Sequence, residues 1–142
     1  VFTNQTLGDA LKKAKDNGAQ IKGTLGTHHS NKNMQNFFDK NKINAQKKSQ
    51  NHLKRFLISE KDPSLGSPGK HVVVVGSANP TNYAYHNAEL YTRTENDKPF
   101  FMEHFKDHTN VMNNTNSTSE KKVVEYTPQK ENKAFSSHTI IL

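Results

Sequence analysis

The sequence predicts an α/β fold built as one domain. Three features point that way. Apolar residues recur at helical spacing in three segments, short alternating or β-branched stretches separate those segments, and 142 residues suffice for one modest core.

Leu7, Ala10, Leu11 and Ala14 mark one face of a first helix over Thr6 to Asn17, with Thr6 and Asp9 placed as a capping box and Asn17-Gly18 as its stop. Ala19 to Leu25 then reads as a short strand. Met34, Phe37 and Phe38 are the apolar side of a second helix ending near Asn41. From His52 to Ile58 the pattern changes to period two, which sets His52, Lys54, Phe56 and Ile58 on one strand face and Leu53, Arg55 and Leu57 on the other. Ser59 to Lys70, rich in Pro, Gly, Ser and charge, predicts a surface excursion. Val72 to Val75 has the β-branched character of a strand covered on both faces. Glu89 to Arg93 predicts a further strand, and Phe101, Phe105, His108 and Met112 a third helix after the Thr94 to Pro99 turn. These elements delimit a domain over 1–112. The polar stretch 113–142 predicts a partly disordered tail in which Val123 to Tyr126 and Thr139 to Leu142 have the pattern of edge strands.

Twenty Lys and Arg against thirteen Asp and Glu leave a formal charge of +7, which favours polyanionic partners, nucleic acid or anionic phospholipid. The absence of cysteine excludes disulfides and thiolate metal sites and leaves the compartment unread. No apolar run approaches the roughly 18 residues of a membrane-spanning helix. The opening at Val1 predicts a fragment or processed product. Three Asn-x-Ser/Thr triplets, beginning at Asn4, Asn113 and Asn116, are explained by the Asn-rich composition of the chain.

The chemistry concentrates in two stretches, His52-Leu53-Lys54 and the run GSANPTNYAYHNAE from Gly76 to Glu89. Cleavage of a phosphodiester needs a nucleophile, cations or donors for the phosphoryl oxygens, and an orienting partner. His52 has the nucleophilic imidazole and Lys54 the ammonium. Ser77 and Asn79 have hydrogen-bonding groups for phosphate, and Glu89 the carboxylate to fix a histidine tautomer. His52-x-Lys54, a β-branched strand, Gly76-Ser77-x-Asn79 and Asn87-x-Glu89, in this order, resemble the signature of the phospholipase D, or HKD, superfamily. The likeness spans roughly Val1 to Met112.

That resemblance implies a mixed β-sheet flanked by helices on both faces. It also implies metal-independent phosphodiester hydrolysis through a phosphohistidine on His52, with no cofactor. One His-x-Lys segment supplies half of such a site, so a homodimer, or a second half from the same precursor, is the expected active form. The charge and the single motif favour a nuclease over a phospholipase. Two departures from the family pattern stand out: Ser59, followed by Glu60, occupies the place of the usual Asp, and the connection from Ser59 to Gly76 is about ten residues longer than usual. Ser59 favours the alternative, a catalytically inactive module that binds nucleic acid or serves structurally; a phospholipase acting on headgroups is a third reading. His28-His29 reads as a solvated loop or a substrate-side phosphate contact, and His104 and His108 as a helix face rather than a zinc site.

Overall fold

Strand pairing begins from the β-branched and alternating stretches, and helices cover what those strands leave apolar. The computed structural model describes residues 1–48, 54–81, 88–113 and 139–142. Within them the chain runs α1 (Gln5–Asp16), β1 (Gln20–Leu25), α2 (Lys32–Lys40), β2 (Asn44–Lys47), β3 (Arg55–Ser59), β4 (His71–Gly76), β5 (Tyr91–Glu95), α3 (Lys98–Asn113) and β6 (Thr139–Ile141). The strands form one six-stranded mixed sheet in the order β2-β1-β6-β3-β4-β5. β1 runs parallel to β2 and β6, whereas β3 is antiparallel to both β6 and β4, and β5 is antiparallel to β4.

Helices pack on both faces. Leu11, Met34 and Phe38 from α1 and α2 join Ile21, Leu25, Phe2 and Ile43 in one core, with Ile140 and Leu142 of the C-terminal strand against it. On the opposite face Phe101 and Phe105 of α3 cover Leu57, Val73 and Ile141. Ile141 therefore faces one layer and its two neighbours the other, the period of two that a strand imposes. The Lys48 ammonium donates to the Met112 carbonyl at 2.9 Å, placing a cation where the last carbonyls of α3 need donors.

Several sequence expectations change here. Thr139–Ile141 is not an edge strand but an interior one, hydrogen-bonded between β1 and β3. Its unbroken Ile-Ile-Leu run suits a slot with a helical layer on each side. The N-cap of α1 is Asn4, whose Oδ1 accepts from the Leu7 N–H at 2.9 Å, so Thr6 and Asp9 fall inside the helix and form no capping box. The helix ends as expected at Asn17, with Gly18 beyond it at φ 99°, a left-handed conformation that glycine adopts without a Cβ clash. β4 is covered on one face only: Val73 is buried against α3, while Val72 and Val74 on the other face are half-buried. β5 begins two residues later than Glu89, and β2 is a strand that the pattern did not announce. The Val123 to Tyr126 expectation lies outside the described residues.

The excursion after β3 is a surface loop closed on itself. Glu60 N–H donates to the Lys70 carbonyl at 3.0 Å and Lys61 N–H to the Pro68 carbonyl at 3.1 Å, around a short 3-10 turn at Pro63–Leu65. Among the described residues no helix is long and apolar enough to cross a membrane.

Candidate functional site

At one end of the sheet β1 and β6 finish, β4 finishes beside them in the antiparallel half, and β3 begins. Strand ends leave side chains without a neighbour above them, and in open α/β sheets this is where ligand crevices form. A cleft of about 440 Å³ opens there. Lys54 and Asn79 both line it, together with Thr27 and His28 from the loop after β1. Its described lining contains no Asp or Glu side chain, so the cleft suits an anion.

The position of Lys54 follows from strand parity. Arg55, the first residue of β3, turns toward α3, where its guanidinium donates to Asp107 at 2.7 Å and to His104 Nδ1 at 3.1 Å. Lys54 thus belongs to the face opposite α3. Its carbonyl accepts from the Gly76 N–H at 3.0 Å, which carries the β3–β4 ladder one step into the cleft. The Lys54 charge also lowers the pKa of the Val1 amino group, second to the effect of burial.

Asn79 is held by the turn that follows β4. Gly76 is required at its start, because a Cβ there would fall 2.3 Å from the Tyr91 ring and 2.8 Å from the Leu90 carbonyl oxygen. Tyr91 in turn donates its hydroxyl to the Ala78 carbonyl at 3.1 Å. Burial, and then the Glu89 charge, raise the Tyr91 pKa and keep that hydroxyl protonated. Ser77 N–H donates to the Leu90 carbonyl at 2.9 Å, and Leu90 N–H returns a bond to Ser77 Oγ at 3.0 Å. Asn79 Oδ1 accepts from the Val1 nitrogen at 3.2 Å, and the Pro80 carbonyl accepts from Thr3 and Asn4 N–H at 3.0 and 2.9 Å.

Of the five expected site residues, then, Lys54 and Asn79 come together. Ser77 and Glu89 meet each other instead: the Ser77 hydroxyl donates to the Glu89 carboxylate, and neither residue lines the cleft. Their place is to clasp the turn that presents Asn79. His52, and Asn87 of the second motif, lie outside the described residues. Ser59 is buried at the far end of β3, its Oγ donating to the Lys61 carbonyl at 2.7 Å. At about 3.3 Å per residue it stands roughly 16 Å from Lys54, so the Asp-to-Ser departure does not reach the cleft.

Two features fall outside the five expected site residues. One is the layer beneath β3, where Arg55 is 7% exposed, with burial lowering its pKa and the Asp107 bond opposing that. Next to it His108 is 1% exposed, and neither ring nitrogen has a hydrogen-bond partner among the described residues. Burial, then the Arg55 and Lys22 charges, lower its pKa to about 4, with Asp107 opposing. His104 is lowered too, by burial first and Arg55 second. The only signal for this layer was the helical spacing that put His108 on an apolar stripe. The other feature is His28, a cleft residue. Among the described residues no three His, Asp or Glu side chains gather in a metal-binding arrangement.

Compared with protein-family models, with curated proteins and with solved structures, the chain matches none.

Proposed function

We propose that the chain supplies one half of a metal-independent phosphodiester-cleaving site, acting on nucleic acid. The observation that carries this reading is the convergence of Lys54, just before β3, and Asn79, in the turn after β4, in one cleft free of carboxylate side chains among its described lining. The HKD-like order of motifs, which includes both residues, supports it.

In this reading His52 forms an N–P bond to the scissile phosphorus while the bond from phosphorus to the leaving oxygen breaks. A second copy's imidazolium protonates that oxygen. Water then attacks the phosphohistidine, gives its proton to the same imidazole and releases His52 as the N–P bond breaks. Lys54 neutralises the phosphoryl oxygens and the Asn79 amide donates to them, as charge accumulates there. The formal charge of +7 draws a polyanion to the cleft. One copy holds one such half, so the active form is a homodimer or a pairing with a second half.

The test is incubation of the purified protein, in EDTA, with single- and double-stranded DNA, RNA, a chromogenic phosphodiester and anionic phospholipid vesicles. Cleavage of nucleic acid that His52→Ala abolishes supports the reading. Headgroup release alone transfers it to lipid, and binding without cleavage of any substrate defeats it. Sedimentation of the active fraction as a strict monomer defeats the dimeric form.

A further inference from the structure

His28 occupies the loop that carries the chain from β1 into α2. Its Nδ1 accepts from the Ser30 backbone N–H at 3.2 Å. An amide N–H only donates, so Nδ1 bears no proton in this arrangement, and the neutral ring keeps its hydrogen on Nε2. The loop is clamped. Asn31, 1% exposed, donates from Nδ2 to the Gly26 carbonyl at 2.8 Å and accepts at Oδ1 from the Phe2 N–H at 2.7 Å. The His29 ring lies against His28 with centroids 4.2 Å apart. His28 is exposed, and it lines the cleft that Lys54 and Asn79 line.

We propose that His28 is a substrate-binding residue of this cleft, its Nε2–H donating a hydrogen bond to a phosphate oxygen of the bound diester strand. The assignment rests on the phosphodiester reading above and adds to it a third donor, from a different part of the fold. The tautomer decides the role. Nδ1 is taken up by the Ser30 N–H, so the ring nitrogen left to meet a ligand is Nε2, which carries the hydrogen. The geometry thus gives His28 the part of a hydrogen-bond donor to the ligand.

Three substitutions separate this role from that of a loop cap. His28→Asn keeps an acceptor near the place of Nδ1 but does not reach the position of Nε2. His28→Gln places an amide donor near Nε2, and His28→Ala removes both. With a diester substrate, His28→Ala and His28→Asn raise KM about ten- to a hundredfold, the worth of a hydrogen bond to a charged group, with kcat and the pH profile unchanged. His28→Gln retains most of the affinity. In parallel, long-range ¹H–¹⁵N spectra of the wild-type histidine rings, titrated with inorganic phosphate, show the Nε2–H tautomer for His28 and a phosphate-dependent shift of Nε2 that Lys54→Ala weakens. A wild-type KM in His28→Asn reduces His28 to a cap and overturns the proposal, as does a His28 ring indifferent to phosphate. If wild type cleaves nothing, the phosphodiester reading fails by itself, and the phosphate titration still decides His28.

Discussion

Acid should weaken the packing of α3 through one side chain, His108, and replacing that side chain should remove the effect. In the unfolded chain its imidazole titrates near the ordinary value of about 6.5. In the fold it is held at about 4, because burial costs the charged form most and the neighbouring Arg55 and Lys22 repel it, with Asp107 only partly opposing. Between those values the unfolded chain binds a proton that the folded chain refuses. Stability is therefore undiminished by this group above about pH 6.5 and falls as the pH drops toward 4. At pH 5 the difference in proton binding amounts to about 2 kcal/mol, and below pH 4 it approaches about 3 kcal/mol. Other groups titrate in the same window, so the informative quantity is the difference between wild type and His108→Leu, which keeps a similar volume. Urea unfolding at pH 7.5 and pH 5 should show wild type losing about 2 kcal/mol more than the variant. At pH 7.5 the variant should equal or exceed wild type by up to about 1 kcal/mol, since it removes two buried nitrogens without partners among the described residues. Parallel losses in the two proteins would refute the placement of His108 as a buried neutral ring.

Ile141→Ala should cost about 2–5 kcal/mol in chemical denaturation, because the residue is fully buried in an interior strand; a loss under 1 kcal/mol would fit an edge strand instead. Gly76→Ala should destabilise by about 1–3 kcal/mol, as its Cβ would meet the Tyr91 ring and the Leu90 carbonyl oxygen, and thermal unfolding measures this. Lys54→Ala should lower turnover about 10²- to 10³-fold in the nuclease assay while leaving the urea midpoint near that of wild type. Asn4→Ala should cost about 1 kcal/mol through loss of the α1 cap, with no change in cleavage by the folded protein.

Much of the candidate site was legible because strand geometry is periodic. Alternation alone set the Lys54 side chain apart from that of Arg55, and in the structure both residues line the cleft while the Arg55 guanidinium reaches Asp107 of α3. The β-branched run and the glycine after it located β4 and its turn, which brought Asn79 within reach. Ser77 and Glu89 were read as separate contributors to phosphate and histidine. In the structure the Ser77 hydroxyl donates to the Glu89 carboxylate, a pairing that the spacing of the two residues did not announce. β2 escaped notice because Asn44–Lys47 has no apolar period, and backbone pairing with β1 rather than side-chain burial makes it a strand. The Asn4 cap competed with an equally well-formed Thr6 pattern two residues on, a choice that local sequence does not settle.

From the sequence alone came the alternation of helix and strand, the face on which Lys54 stands, the positive charge and the order of motifs, all of which depend on local spacing and composition. Only the tertiary structure decided that the last four residues complete the middle of the sheet, that Ser59 stands a strand's length from the cleft, and that His28 shares the cleft with Lys54 and Asn79. These are meetings between segments distant in the chain. They depend on which strand edges pair and which faces the helices cover, and the spacing of residues within one segment carries no record of either.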